Sequence, residues 1–361
     1  MKLVSSILKR VVYPSLARAG CLRRLGGCGL AAVTYHGVFP QGYDPVDPTL
    51  DGNLVSGETL RQQLRLLKAH YNVISPEDAL AWREGRIELP QRTVLLTCDD
   101  GLLNCLTDML PILQQEGIRC LFFVTAASAG EARSMLWYEE LFLLFLGAPL
   151  GAFDISSEGV SIKGEMRGPA ERRAIWWDSV KGLSQLDTLR RESFLRTIRT
   201  QFASSMANKL DDRHPSFCRR FALLTSAELR ELAAAGMTIG AHSLSHPILS
   251  QLPADLAYSE IAECRTKLES AVQRRIWAFA YPFGDPTSVT PSVVSMAKEA
   301  GYGAAFLNFG GGLGTDLPAY ALPRVHVTSE MDLAEFEAHV SGFYARLQRL
   351  AGRGLQNRFT A

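Results

Sequence analysis

A chain of 361 residues with 47% apolar and 21% charged composition has room for one large domain carrying an insertion, or for two smaller ones. Its formal net charge of +1 excludes a global field that would draw nucleic acid or a strongly acidic partner. The seven cysteines (Cys21, Cys28, Cys98, Cys105, Cys120, Cys218 and Cys264) contain no CxxC pair and no zinc-knuckle spacing, which suits reduced thiols in a cytosolic protein.

Residues 1–29 read as a basic amphipathic segment. Lys2, Lys9, Arg10, Arg18, Arg23 and Arg24 are interleaved with Leu3, Ile7, Leu8, Val11, Leu16, Leu22 and Leu25. Such a pattern suits first a helix packed on the domain, and second a helix lying on an anionic membrane through residues 1–25. Pro14 is expected to break or kink it. Lys9 and Arg10 interrupt any secretory signal core, and no later segment is apolar for long enough to span a bilayer. The expected location is the cytoplasm, with peripheral contact at the inner membrane face.

The main body, residues 30–342, opens with the apolar strand Leu30–Tyr35, followed at once by His36. Leu60, Leu64 and Leu67 recur at helical spacing. A strand is expected at Tyr71–Ile74, and Ser75-Pro76-Glu77-Asp78 is a helix start with Pro in the first turn. Val94 to Cys98 is a buried strand, Leu106–Glu116 a helix stopped by Gly117, and Cys120–Thr125 another strand. Strands alternating with helices predict a parallel sheet, and a (β/α) barrel accounts for the length.

The rhythm breaks over residues 130–221, read as a mostly helical insertion with a small hairpin near Phe153 to Ile162. Its aromatic and Arg residues (Trp137, Trp176, Trp177, Arg190, Arg191, Arg196, Arg199) suit either a substrate platform or a flap over the barrel. Alternation then resumes: helix 226–235, strand 237–241, helix 255–274, strand 276–281, helix 291–300, strand 304–308. The Gly-rich run Gly310–Gly314 lacks the Lys-Ser/Thr of a phosphate loop and reads as a flexible loop. Residues 343–361 form a basic tail, expected to be frayed.

In parallel α/β proteins function collects at the C-terminal ends of strands. Four such ends carry polar groups here: His36, Asp99-Asp100, His242/His246 and Tyr281-Pro282-Phe283-Gly284. Two adjacent carboxylates raise each other's pKa unless a cation sits between them. One carboxylate with two histidines is a common set for a catalytic divalent metal with an open position, which leaves the other Asp as a candidate base. The chain reads as a metal-dependent hydrolase.

Thr97-Cys98-Asp99-Asp100-Gly101 resembles the Thr-Phe-Asp-Asp-Gly motif of the polysaccharide deacetylase family (NodB homology, carbohydrate esterase 4). His242-Ser243-Leu244-Ser245-His246-Pro247 is similar to its His-Ser/Thr-x-x-His motif, and Tyr281-Pro282-Phe283-Gly284 resembles its Pro-Tyr-Gly-type motif. The resemblance implies a distorted (β/α)7-type barrel and a divalent metal, usually Zn2+, held by Asp100, His242 and His246. It implies Asp99 as general base and the backbone around Tyr281, Pro282 and Phe283 as oxyanion support. An early His, as in Thr34-Tyr35-His36-Gly37, matches the permuted poly-N-acetylglucosamine deacetylase-like subgroup, which makes His36 the general acid and His326 the reserve.

Two departures stand out. Cys98 replaces the usual Phe, placing a soft ligand near the metal. Ala280 stands where an Arg that orients the base is usual, and Arg324 is the candidate to fill that role. The activity implied is de-N-acetylation of amino sugars in a polysaccharide or lipid-linked glycan, during surface polysaccharide synthesis. The alternatives are an O-acetyl esterase and a non-catalytic carbohydrate-binding or scaffold protein of the same fold.

Overall fold

Alternate residues of the apolar strands face opposite ways, and that alternation builds two separate cores. In the structure, a computed structural model that describes residues 7–27, 29–202, 214–314 and 317–350, ten strands are formed among the described residues. They are β1 (Leu30–Tyr35), β2 (Asn72–Ile74), β3 (Thr93–Cys98), β4 (Leu121–Val124), β5 (Gly151–Ser157), β6 (Val160–Met166), β7 (Thr238–Ala241), β8 (Ala278–Ala280), β9 (Ala304–Gly310) and β10 (Leu322–His326). All but β5 and β6 lie in one parallel sheet of order β1-β10-β9-β8-β7-β4-β3-β2, and an additional β1–β3 pairing closes it. The ring therefore has seven strands, with β2 attached outside it at the start of β3. The expected (β/α)7-type barrel is what forms.

Inside the ring sit Leu30, Ala32, Leu95, Leu121, Phe123, Ala278, Ala280, Ala304, Phe306 and Leu322. Their neighbours one residue along, such as Ala31, Val33, Val94, Leu96, Phe122 and Ala305, face the surrounding helices in a larger cluster. The mixture of Ala with Leu and Phe lets side chains from facing strands fill so narrow a lumen. Toward the C-terminal ends the same inward positions turn polar, with Thr34, Thr97, Asp99 and Arg324 all buried.

Helix boundaries follow the local signals. Ser56 caps Gly57–His70, and the Ser75–Asp78 capping box starts Pro76–Arg83. Gly117, at φ 66°, ends Leu110–Glu116. The sequence pattern does not mark strand β10 or the helices Pro48–Asp51 and Leu333–Val340. Pro323 interrupts β10, and the β9–β10 register shifts between Leu322 and Arg324, a bulge of the kind that re-aims side chains.

Within residues 130–221 lie helices Trp137–Gly147, Pro169–Leu183, Thr188–Gln201 and Pro215–Phe221, with β5 and β6 forming an antiparallel hairpin in the register Ile155↔Ile162. They share a core of their own, including Phe142, Phe145, Val180, Phe194, Ile198 and Phe221. Leu50 and Ile248 from barrel loops enter that core.

The Gly-rich run is not a flexible loop. A Cβ on Gly311 would lie 2.1 Å from the Arg324 carbonyl carbon, and one on Gly312 would lie 2.9 Å from Gly342 Cα. The glycines are there because backbones touch. The expected frayed tail is likewise corrected: residues 343–350 form a helix, with Tyr13 and Phe343 rings 6.4 Å apart. Residues 351–361 of that tail lie outside the described residues.

Arg220, fully buried, joins the insertion to the loop after β1. It bonds Asp51 and Glu139, each at 2.8 Å, and the Leu50 carbonyl at 2.7 Å. One guanidinium faces two carboxylates, and burial pushes Glu139 up to about 7 despite Arg220 beside it. A raised folded pKa contributes stability that is complete below the ordinary glutamate value and is lost as pH rises through about 7. Glu139→Gln should therefore flatten the dependence of Tm on pH across that window. Arg220→Met, which strands Asp51 without its cation, should cost about 3–5 kcal/mol in chemical denaturation.

Candidate metal centre and active site

The end of β3 faces an electrostatic problem, since Asp99 and Asp100 are adjacent and nearly inaccessible, at 1% and 5% exposure. The fold solves it by turning them to different partners. Asp99 continues the strand, its N–H bonded to the Tyr35 carbonyl, and points into the barrel. Arg324 meets it there with two nitrogens on two oxygens, each at 2.6 Å. The same guanidinium donates to the Leu307 carbonyl and to the Thr34 and Thr97 hydroxyls, and lies over the Phe123 ring. Burial alone would raise Asp99, but the Arg324 charge holds it below the usual carboxylate range.

Asp100 leaves the strand in a left-handed conformation, φ 76°, followed by Gly101 at φ 76°. A Cβ at Gly101 would lie 2.8 Å from Val124 Cγ1, so the motif requires glycine there. Its Oδ1 lies 3.5 Å from His242 Nε2 and 3.4 Å from His246 Nε2. One ligand atom from each of the three residues falls within 4.8 Å of the others. Against the cost of burial, hydrogen bonds from both histidines hold Asp100 well below its usual range.

His242 follows β7, and its Nδ1 lies 2.7 Å from the Ala280 carbonyl. A carbonyl can only accept, so Nδ1 carries a proton; Nε2, which donates to Asp100 when no metal is bound, is the nitrogen a metal ion would take. His246 is held through its N–H on Ser243 Oγ and its carbonyl on the Trp137 indole N–H, at 2.9 and 3.1 Å. Of the seven non-Gly residues with positive φ among the described residues, four are Asp100, Ser243, His246 and Phe283. Backbone strain is thus concentrated where the ligands converge. A carboxylate with two imidazole nitrogens, one tautomer fixed by a backbone carbonyl, fits a divalent ion with an open position.

His36 follows β1, is 8% exposed, and its Nδ1 is buried without a partner. Gly37 must be glycine, since at φ 111° a Cβ would fall 2.0 Å from Asn104 Oδ1, the acceptor for the Val38 N–H. His326, at the end of β10, has its ring 5.0 Å from that of His36. Burial, with the His36 charge second, pulls His326 down to about 3. Of the Tyr281–Phe283 backbone, the Tyr281 N–H is spent on the Phe306 carbonyl and Pro282 has none, which leaves the Phe283 N–H for an oxyanion. Cys98 faces away from this centre, its Sγ 3.6 Å from that of Cys105 in the outer core, so it is no stray ligand.

Tyr138 and Glu260 are not marked by the sequence, and Ser245 stands in the histidine motif without a role assigned to it. Tyr138 and Phe283 lie beside His246, with ring centroids 4.9 Å from it in each case, and Trp177 adjoins Phe283 at 5.6 Å. Arg191, 2% exposed, donates to Ser245 Oγ and stacks on Trp137 at 4.8 Å. Glu260 accepts from the Ser245 N–H and hydroxyl at 2.9 and 2.5 Å. The insertion therefore grips the loop between the two histidines. Neither Tyr138 nor Glu260 lies in a recognisable motif, and only the fold brings them here.

Residues 199–305 match the family model described as Polysaccharide deacetylase. YxkH of Bacillus subtilis (strain 168), which bears a provisional polysaccharide deacetylase name, is 26% identical over 117 residues, 32% of this chain and 41% of its own length. The chain thus spans well under half of that relative. Among solved structures, IcaB from Ammonifex degensii superposes with a TM-score of 0.54 at 18% identity, covering 88% of this chain and 98% of its own. The Streptococcus pyogenes deacetylase PplD, in complex with acetate, superposes with 0.52 at 16%, covering 86% and 97%. At these identities the superpositions speak for the fold. The matched model thus covers the part of the chain that carries His242, His246 and Tyr281, and the superpositions extend the likeness to the whole barrel as a fold.

Arg191→Met keeps the stem that packs on Trp137 and removes the bond to Ser245. It should weaken zinc binding by roughly 10–100-fold in a competition titration, with unchanged circular dichroism. Unchanged affinity would mean the insertion only covers the loop.

Proposed function

We propose that the protein is a metal-dependent deacetylase that removes acetyl groups from N-acetylated amino sugars of a polysaccharide or lipid-linked glycan, within the permuted poly-N-acetylglucosamine deacetylase-like subgroup. The observation that carries this is the division of labour at the end of β3, where Asp100 turns to His242 and His246 while Asp99 is held by Arg324. Asp100, His242 and His246 would hold a divalent ion, zinc first, which when bound would supply Lewis acidity.

The chain's own groups do the rest. Asp99 takes the proton from the attacking water; Arg324, touching both its oxygens, fixes its orientation and keeps it ionised. The Phe283 N–H is the backbone donor free to meet the oxyanion. His36 returns a proton to the departing amine. His326, held near 3, is an uncharged imidazole at neutral pH and a poor acid, which favours His36 over it. Tyr138, Phe283 and Trp177 offer ring faces to a sugar.

Acetate release from N-acetylated and O-acetylated glycans, with and without chelator and added zinc, tests the reaction. Release should depend on the metal and favour N-acetyl substrates; release from O-acetyl substrates alone would replace the amidase with an esterase. Asp99→Asn should retain its metal and lose turnover. His36→Ala should lower kcat by ~10²–10⁴-fold, and an unchanged rate would return the role to His326.

A further inference from the structure

Beside His326 the barrel rim opens into a cavity of about 490 Å³, within the range of roughly 300–1,000 Å³ typical of small-ligand sites. Asn308, His326, His339, Tyr344, Gln348 and Arg349 line it. Asn308 Oδ1 and His326 Nε2 are buried there without a partner. The His326 ring in turn lies 5.0 Å from that of His36, the group assigned to the departing amine. Arg349 also lines a second depression of about 400 Å³, with Arg346, Leu350, Gly26 and Gly27.

Both ends of the described chain meet at this place. Tyr13 and Leu22 of the first helices are buried against Ala338, with Leu8, Leu16, Phe343 and Tyr344 around them. That packing uses the inward apolar face of the N-terminal segment, yet much apolar surface stays outside. Ile7, Val11, Leu25, Leu333 and Leu350 make up five of the ten exposed large hydrophobics among the described residues. The charges around them are one-sided. Lys9 and Arg23 are neutralised by the buried Glu335 and Glu337, each at 2.8 Å. Arg10, Arg18, Arg24, Arg346 and Arg349 have no carboxylate partner among the described residues. The exposed acids nearby, Glu330 and Asp332, lie on the Lys9 side.

Guanidiniums without a carboxylate partner, one of them (Arg346) resting on the Leu25 carbonyl, stand beside exposed aliphatic side chains and are complementary to an anionic lipid surface. No helix among the described residues is long and apolar enough to cross a membrane, so the contact is peripheral. We propose that the two chain ends dock on an anionic bilayer and that Arg346 and Arg349 bind a lipid-borne phosphate at the mouth of the cavity. The substrate class that follows, resting on the deacetylase reading above, is an amino sugar linked through phosphate to a lipid: sugar toward the metal centre, phosphate at Arg349, hydrocarbon along Leu350 and Leu25.

Binding tests this without any need for turnover. The full chain is sedimented with vesicles of phosphatidylcholine alone or mixed with phosphatidylglycerol, and the Arg346→Glu/Arg349→Glu variant is compared at equal Tm. Capture by the anionic vesicles alone, abolished by salt and by the charge reversal, is the expected result. Equal capture by both vesicle types, or none, overturns the proposal. Calorimetry of N-acetylglucosamine 1-phosphate on Asp99→Asn then identifies the phosphate. A loss of roughly tenfold or more on adding Arg349→Ala assigns it to the substrate, whereas an unchanged affinity assigns it to the bulk headgroup and overturns the substrate class. Vesicle capture without acetate release from any acetylated glycan would sink the deacetylase reading alone.

Discussion

A guanidinium buried in the lumen of a barrel is the constraint on which the rest of this structure depends. Arg324 has no access to water and must find every partner within the protein: a backbone carbonyl, two threonine hydroxyls, an aromatic face and a carboxylate. Burying a charge is costly unless it is paired and hydrogen-bonded, and here the pair is also part of the site. Thr34 and Thr97 at inward positions, otherwise odd choices for an apolar lumen, exist to receive it. Asp99 can stay ionised because Arg324 reaches it, and Asp100 can then turn to His242 and His246.

The separation between interior and exterior of the ring carries the same logic outward. At the closed end the lumen is filled with Leu, Ala and Phe, and at the open end with Thr, Asp and Arg. Above the open end the insertion, packed on its own core, lowers Tyr138 and Trp177 beside Phe283 and fastens the histidine loop through Arg191, Ser245 and Glu260. A loop whose ligands sit in left-handed conformations needs such restraint, because its backbone would relax if freed.

Much of this was legible before any coordinates. The strands ending in His36, Asp99-Asp100, His242 and Tyr281 were read from runs of apolar residues bounded by glycine and polar groups, because buried parallel strands have that composition. Strand β10 was harder, since Pro323 and the bulge beside it break the pattern that marks a strand. The close packing of Gly311 and Gly312 against Arg324 and Gly342 was invisible for another reason: a glycine needed for contact and one needed for flexibility are the same letter. Tyr138, Arg220 and Glu260 were missed because their partners lie 15 to 170 residues away, as in Ser245–Glu260 and Arg220–Leu50.

The ring pairs its first strand with its last as well as with β3, and the Arg324–Thr34 bond spans 290 positions of sequence. Closing a loop that long is entropically expensive and slow, and until it happens the free edges of β1 and β10 present unpaired backbone. During synthesis the first of these strands must wait for nearly the whole chain to follow. A chain without β10 also has no cation for Asp99, so the pairing at the end of β3 is complete only once the ring is.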